Sequence, residues 1–309
     1  MRATIEWIKA NPLSAALICT IVATLIYFYG FVNLFMSGRV STAVWAWQAW
    51  NPETNYEHAK IIPLVFAVLV WTSRNKLKGA QLSSSRWGWL FVGVGLLLFL
   101  VAARTVQARL ALCALPPLLF GIVLYVFGKD AARALLFPIV FLFFMVPLNF
   151  LTQATFRLQF LETGIASAVC NLIGIHVNTV GTIVNSADNA FHFQIDEGCS
   201  GIRSLMAIAM LSAIYAHYTQ DQLWKKLAIF AAALLFAVIG NAGRLVSILI
   251  VGRFLGQDLA GGPYHNISGY LTFPFAIAAM VLFAQLLNIK LGKISPPTGA
   301  SHEPATYDY

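Results

Sequence analysis

Charge is what this chain has least of. Asp, Glu, Lys and Arg together make up 10% of its 309 residues, against roughly a quarter in an ordinary soluble domain. With 59% hydrophobic residues, a water-soluble fold would leave more apolar surface than its core could bury. That excludes a soluble enzyme, a disordered chain, a coiled coil and a nucleic-acid module. Cysteine is also scarce: Cys19, Cys113, Cys170 and Cys199 are spaced too irregularly for a disulfide framework or a CxxC metal pair. There is no HExxH and no gathering of carboxylates at one depth, so neither a metal nor another cofactor is expected. Asp196 and Glu197 are adjacent, so their side chains point apart and do not form an acid pair. Internal repeats are lacking, and no GxSG or Gly-Asp pairing within the apolar runs supports a serine or aspartyl intramembrane protease.

What the chain has instead is apolar length, with a mean hydropathy of +0.74. A spanning helix needs about 20 mostly apolar residues. Eight segments qualify, about 13–36, 58–73, 87–104, 107–128, 133–151, 200–218, 226–252 and 267–289. The second is the weakest, with an uninterrupted apolar run only from Ile61 to Trp71. The first is too long for the apolar core of a cleavable signal peptide, and no small-x-small site follows it. The fold class is therefore an all-α polytopic membrane protein. It forms one integral membrane domain over 1–293, followed by a polar tail over 294–309.

Orientation follows from the basic residues. With the N-terminus inside, Arg2, Lys9, Arg74, Lys76, Lys78, Arg86, Lys129, Arg133, Lys225, Lys226, Lys290 and Lys293 are cytoplasmic, twelve of the 20 Lys and Arg. The opposite arrangement would export nearly all of them, against the positive-inside bias. Both termini are thus expected inside the cell, in the cytoplasmic (inner) membrane. The outer face then receives segments 37–57, 152–199 and 253–266. In the second, Gln153, Arg157, Gln159 and Glu162 alternate with apolar residues at helical spacing, which predicts an amphipathic helix at the interface. Val180–Val184 and Phe191–Ile195 flank a turn-rich stretch and predict a small β-hairpin. The Trp45, Trp47 and Trp50 cluster on this face is either an aromatic belt or part of a substrate groove.

An ionisable residue within a bilayer is costly, so each one is a functional candidate. Arg244 follows Gly240-Asn-Ala-Gly243, a stretch expected to weaken its helix. It lies 18 residues beyond Lys226, roughly 27 Å at 1.5 Å per residue, which puts it near the outer boundary. It either snorkels to headgroups or serves a site. Cys199 and Arg203 are four apart at the entry to the sixth span and share a helical face. A cysteine at a helix start beside a cation favours thiolate, although a lone cysteine can also be a small buried filler. His265, between Tyr264 and Asn266, occupies the outer loop before the eighth span. The topology brings Cys199, Arg244 and His265 from three spans to one depth. His176, His192, His217 and His302 have no such company.

Glu197-Gly-Cys-Ser-Gly-Ile-Arg203, Asn241-Ala-Gly-Arg244 and His265 resemble, in order and spacing, the signature blocks of the exosortase/archaeosortase family. Asn55-Tyr-Glu-His58 ahead of Pro63 is similar to that family's early Tyr-Ser-His-Gly block, with Ala59 where Gly is usual, and Gly198 stands where Ala often precedes the cysteine. His58 is left outside the core site on that account. The resemblance covers about 40–290. It implies a membrane cysteine protease or transpeptidase with Cys199 as nucleophile, Arg244 on the oxyanion and His265 as acid and base, with Arg203 and Asn241 supporting. Its implied partners are secreted proteins carrying a C-terminal sorting signal of the PEP-CTERM type: a short motif, a spanning helix and a basic tail. Two other readings are a secondary transporter using Gly240–Arg244 as an unwound anion site, and a noncatalytic membrane component of exopolysaccharide assembly. A disulfide between Cys170 and Cys199 would inactivate the nucleophile.

Overall fold

The computed structural model describes residues 12–35, 39–81, 83–147, 149–195 and 202–291. The described residues are mostly helical, with one small sheet among them. Among the described residues, four helical stretches are long and apolar enough to cross a membrane: Gly88–Thr105, Ala108–Val126, Leu223–Leu255 and Gln257–Asn288. Two compact units, Met1–Arg157 and Leu158–Tyr309, partition the chain.

The first unit contains helices α1 (Pro12–Ile26), α2 (Thr42–Ala49), α3 (Ile62–Thr72), α4 (Arg74–Lys78), α5 (Gly88–Thr105), α6 (Ala108–Val126) and α7 (Lys129–Phe141). Ser41 caps α2 by accepting the Val44 N–H at 3.4 Å. Close approach between α5 and α6 depends on glycine. A Cβ at Gly121 would lie 2.6 Å from the Val92 backbone nitrogen, and without a hydrophobic driving force in lipid such close contacts carry helix association. Of the tryptophan cluster, Trp50 is 7% exposed and donates Nε1–H to the Met145 carbonyl at 2.8 Å. It is an anchor of this unit. Trp47 is 60% exposed, with the Lys60 ammonium 5.1 Å from its ring centre.

The expected span 133–151 is broken. Helix α7 ends at Phe141, a 3₁₀ turn covers Leu142–Met145, and Val146 is extended (φ −87°, ψ 116°). Pro147 explains the break, because proline excludes the preceding residue from the helical region and cannot donate to the turn before it.

Helix α8 (Asn149–Leu172) follows, three residues earlier than the amphipathic helix expected from the sequence, and the units divide within it. Beyond the division Gln159, Glu162, Thr163, Ala166, Ser167 and Cys170 are buried at 3.6-residue spacing, so the face expected to meet water faces the interior. The sheet has three strands, β1 (Val177–Val180), β2 (Ile183–Ser186) and β3 (His192–Gln194), antiparallel in order β1-β2-β3. The stretch Val180–Val184, expected as one strand, is split by a tight turn with Gly181 at φ +68°. The hairpin itself is present, pairing Asn185 with His192.

Helices α9 (Ile202–Thr219), α10 (Leu223–Leu255) and α11 (His265–Leu291) complete the second unit. Alanines line the inner faces: Ala216, Ala233, Ala237, Ala276 and Ala284 are buried with Ile208, Ile229 and Met280. Although its glycines lower helical propensity, Gly240–Gly243 does not interrupt α10, which is helical throughout its 33 residues. The backbone hydrogen bonds and packing on both sides outweigh the cost of two glycines, roughly 1 kcal/mol each. The outer loop predicted over 253–266 is mostly helical. A single turn over Gln257–Leu259 leads into a wide turn over Ala260–Tyr264, kinked at Gly262 (φ −104°, ψ −105°).

Candidate active site

Arg244 and His265 meet in the second unit. Arg244 projects from α10, and His265 opens α11 directly after the kink. The guanidinium Nη2 lies 3.1 Å from His265 Nε2 and donates to the His265 carbonyl, also at 3.1 Å. Its Nε donates to Ser268 Oγ at 3.3 Å, and Ser268 in turn donates to the His265 carbonyl at 3.0 Å. Arginine has donors only, so Nε2 of His265 meets it as a lone pair and Nδ1 carries the ring proton of the neutral imidazole. Gly269 lets the guanidinium lie along α11, since a Cβ there would sit 3.3 Å from Nη2 and 3.4 Å from Cζ.

Beside this pair is a cavity of about 370 Å³, with Arg244, Ser247, Tyr264, Ser268 and Thr272 as its polar lining and Gly240, Gly243, Leu271 and Phe275 among the remainder. A Cβ at Gly243 would meet nothing within 4 Å, so the cavity wall there is bare backbone. The arrangement offers a fixed cation and an imidazole next to space for a substrate chain. Fixed donors in a site of low dielectric stabilise developing negative charge without reorganising.

Asn241, one turn before Arg244 on α10, is 2% exposed and donates Nδ2–H to Glu162 Oε2 at 2.7 Å. Glu162 is 1% exposed. Burial pushes its carboxyl up to about 7, while the Asn241 hydrogen bond and the positive charge of Arg244 hold it down against that. Of the residues singled out in the sequence, the structure brings together Arg244, His265 and Asn241. Arg203 is exposed in the first turn of α9. Cys199, with Asp196 to Gly201, lies outside the described residues, as does the tail over 294–309. Cys170 is buried among Ala166, Val184 and Leu249 under the sheet.

Glu162, Ser268 and Gly269 join the site without standing out in the sequence. Ser268 and Gly269 carry a signal in their spacing, three and four residues beyond His265, which puts all three on one helical face. Glu162 shares its face with Ala166 and Cys170, an apolar company that signals burial. In the first unit, His58 stacks on Tyr56 with ring centres 5.3 Å apart, and its Nε2 is buried without a hydrogen-bond partner. Among the described residues no group of three or more His, Cys, Asp or Glu gathers as metal ligands.

The family model described as transmembrane exosortase matches residues 47–283, a stretch that takes in both units and every residue of the Arg244 site. No curated protein and no solved structure matches the chain.

Proposed function

The chain belongs to the transmembrane exosortase family, and from that premise we propose that it is a membrane-embedded cysteine transpeptidase or protease. Its substrates are secreted proteins with a C-terminal sorting signal of short motif, spanning helix and basic tail. The observation that carries this reading is the contact of Arg244 Nη2 with His265 Nε2 at 3.1 Å beside an open cavity. Cys199 attacks the scissile carbonyl carbon, forming a C–S bond. As the carbonyl oxygen gains charge, Arg244 turns its Nη2 donation from the imidazole to that oxygen. This frees Nε2 to take the thiol proton and pass it to the leaving amine as the C–N bond breaks. The thioester is then resolved by an amine or by water, whose proton returns through His265. Arg203 supports the thiolate, and Asn241 supports Arg244.

The proposal includes the topology that this chemistry needs. Eight spans, both termini in the cytoplasm and a site at the outer face of the inner membrane would let the substrate's own spanning helix bring its motif to the depth of Arg244. Residues 1–293 then act as one membrane domain and 294–309 as its cytoplasmic tail. The uninterrupted helix through Gly240–Gly243 favours this reading over a transporter with a broken-helix ion site.

The test is co-expression with a tagged secreted protein from the same genome that carries such a signal, following its mass. Cys199→Ala, Arg244→Ala and His265→Ala at unchanged membrane abundance should each abolish the mass change. Continued processing by Cys199→Ala would sink the cysteine mechanism. Processing untouched by all three would leave a noncatalytic role.

A further inference from the structure

A buried carboxylate that feels the charge of Arg244 needs an explanation that packing alone does not supply. Glu162 is 1% exposed, and moving an unpaired carboxylate out of water is among the costliest steps in folding. A glutamine would fill the same space and accept the same hydrogen bond from Asn241 at 2.7 Å without that cost. The surroundings nonetheless include two groups that favour the charge against that burial, Asn241 and Arg244. Asn241 and Arg244 are three residues apart and share a face of α10, so the residue that binds the carboxylate also borders the guanidinium. On α8 itself, Gln159 and Thr163 are buried beside Glu162 with Nε2 and Oγ1 lacking hydrogen-bond partners, a polar interior rather than an apolar one. Arg244 carries the one positive charge that acts on the carboxylate among the described residues. Its donors serve His265 and Ser268 of α11.

We propose that Glu162 is a positioning residue of this site: anchored to α10 through Asn241, it supplies the counter-charge that keeps the half-buried Arg244 turned onto His265. This inference rests on the proposed role of Arg244 and extends it to a third helix, α8. With the counter-charge present, the guanidinium waits in place and meets the oxyanion without first being drawn out of water. Without it, the half-buried guanidinium has no counter-charge and is expected to swing towards the headgroups.

Two measurements decide the matter. In the co-expression assay at pH 8, Glu162→Gln should lower processing at least tenfold at unchanged membrane abundance, and Glu162→Asp should recover part of it. A merely structural role predicts that Glu162→Gln processes like the wild type, since the Asn241 bond survives, and that result overturns the proposal. The second measurement needs no activity. It is thermal unfolding of the full chain purified in detergent, for wild type, Glu162→Gln, Arg244→Gln and the double variant. At pH 8 the loss of Tm caused by Arg244→Gln should be several degrees larger in the wild-type background than in the Glu162→Gln background. At pH 5, where the carboxyl is protonated, the two losses should agree. His265 is present in all four proteins, so its own titration cancels to first order. Equal losses at pH 8 overturn the proposal. If the wild type processes nothing, the proposed function fails and the unfolding cycle alone decides the role of Glu162.

Discussion

Replacing Arg244 by lysine keeps the positive charge and removes the fork. In the native site one nitrogen, Nη2, serves both the ring and the carbonyl of His265 while Nε serves Ser268. A lysine ammonium is a single point that cannot hold these acceptors and a substrate oxyanion in one plane. The His265 carbonyl keeps its bond from Ser268 Oγ at 3.0 Å, so the group left without its donor is Nε2 of the imidazole, the atom proposed to move the proton. Loss of one preorganised oxyanion donor typically costs about 10²–10³ in rate, or roughly 3–4 kcal/mol of transition-state stabilisation. Ser268→Ala removes the Nε acceptor and the Oγ bond to the His265 carbonyl but leaves both Nη2 bonds. At about 1 kcal/mol for each ordinary hydrogen bond, the two together cost at most about thirtyfold. The assay is the rate at which a tagged substrate loses its C-terminal signal after a pulse label, with enzyme abundance measured on the same blot. Arg244→Lys processing within about threefold of wild type would refute the reasoning, as would a larger defect in Ser268→Ala than in Arg244→Lys.

Three further outcomes follow from the geometry. Glu162 holds its proton up to about pH 7 in the folded chain, against an ordinary value of 4.5, so between those values the folded state binds more protons than the unfolded one. This group's contribution to stability should therefore fall as pH rises across that window, by about 3 kcal/mol at most, and Glu162→Gln unfolding in detergent should lack that contribution over the same range. Gly121→Leu would drive a side chain into the Val92 backbone, 2.6 Å from the Cβ position. Overpacking of this kind costs about 1–3 kcal/mol, visible as a lower Tm and reduced membrane abundance. A membrane-impermeant thiol reagent applied to spheroplasts should label Cys199; labelling solely in inverted vesicles would reverse the proposed orientation.

Most helices are legible in the sequence because lipid imposes a simple rule, that long apolar runs without charge become helices. The site is legible for a related reason. Where charge is so scarce, Arg244 stands out, and one turn of α11 separates His265 from the Ser268 that shares its arginine. What cannot be read depends on contacts across elements. Glu162 looks water-facing because Gln153, Arg157 and Gln159 precede it in sequence; Ala166 and Cys170 on its face are a weak contrary signal, and the partner that holds it inward, the Asn241 amide, lies 79 residues away. The break after Phe141 is, by contrast, written in Pro147 and masked by the apolar composition around it. The extra strand β1 is hidden because Val180 and Ile183 look continuous until Gly181 is known to turn the chain.

Helix α10 has one more consequence. Its 33 residues make a rod of roughly 50 Å, well beyond a hydrocarbon layer of about 30 Å, and Arg244 is fixed three turns from its end. A rod longer than the bilayer must tilt or protrude, and its angle depends on the lipid. The depth at which the guanidinium sits in the bilayer is then a property of the membrane as much as of the protein. Reconstitution in lipids of increasing chain length should tune the rate through an optimum, making bilayer thickness a determinant of which bond in a substrate comes within reach.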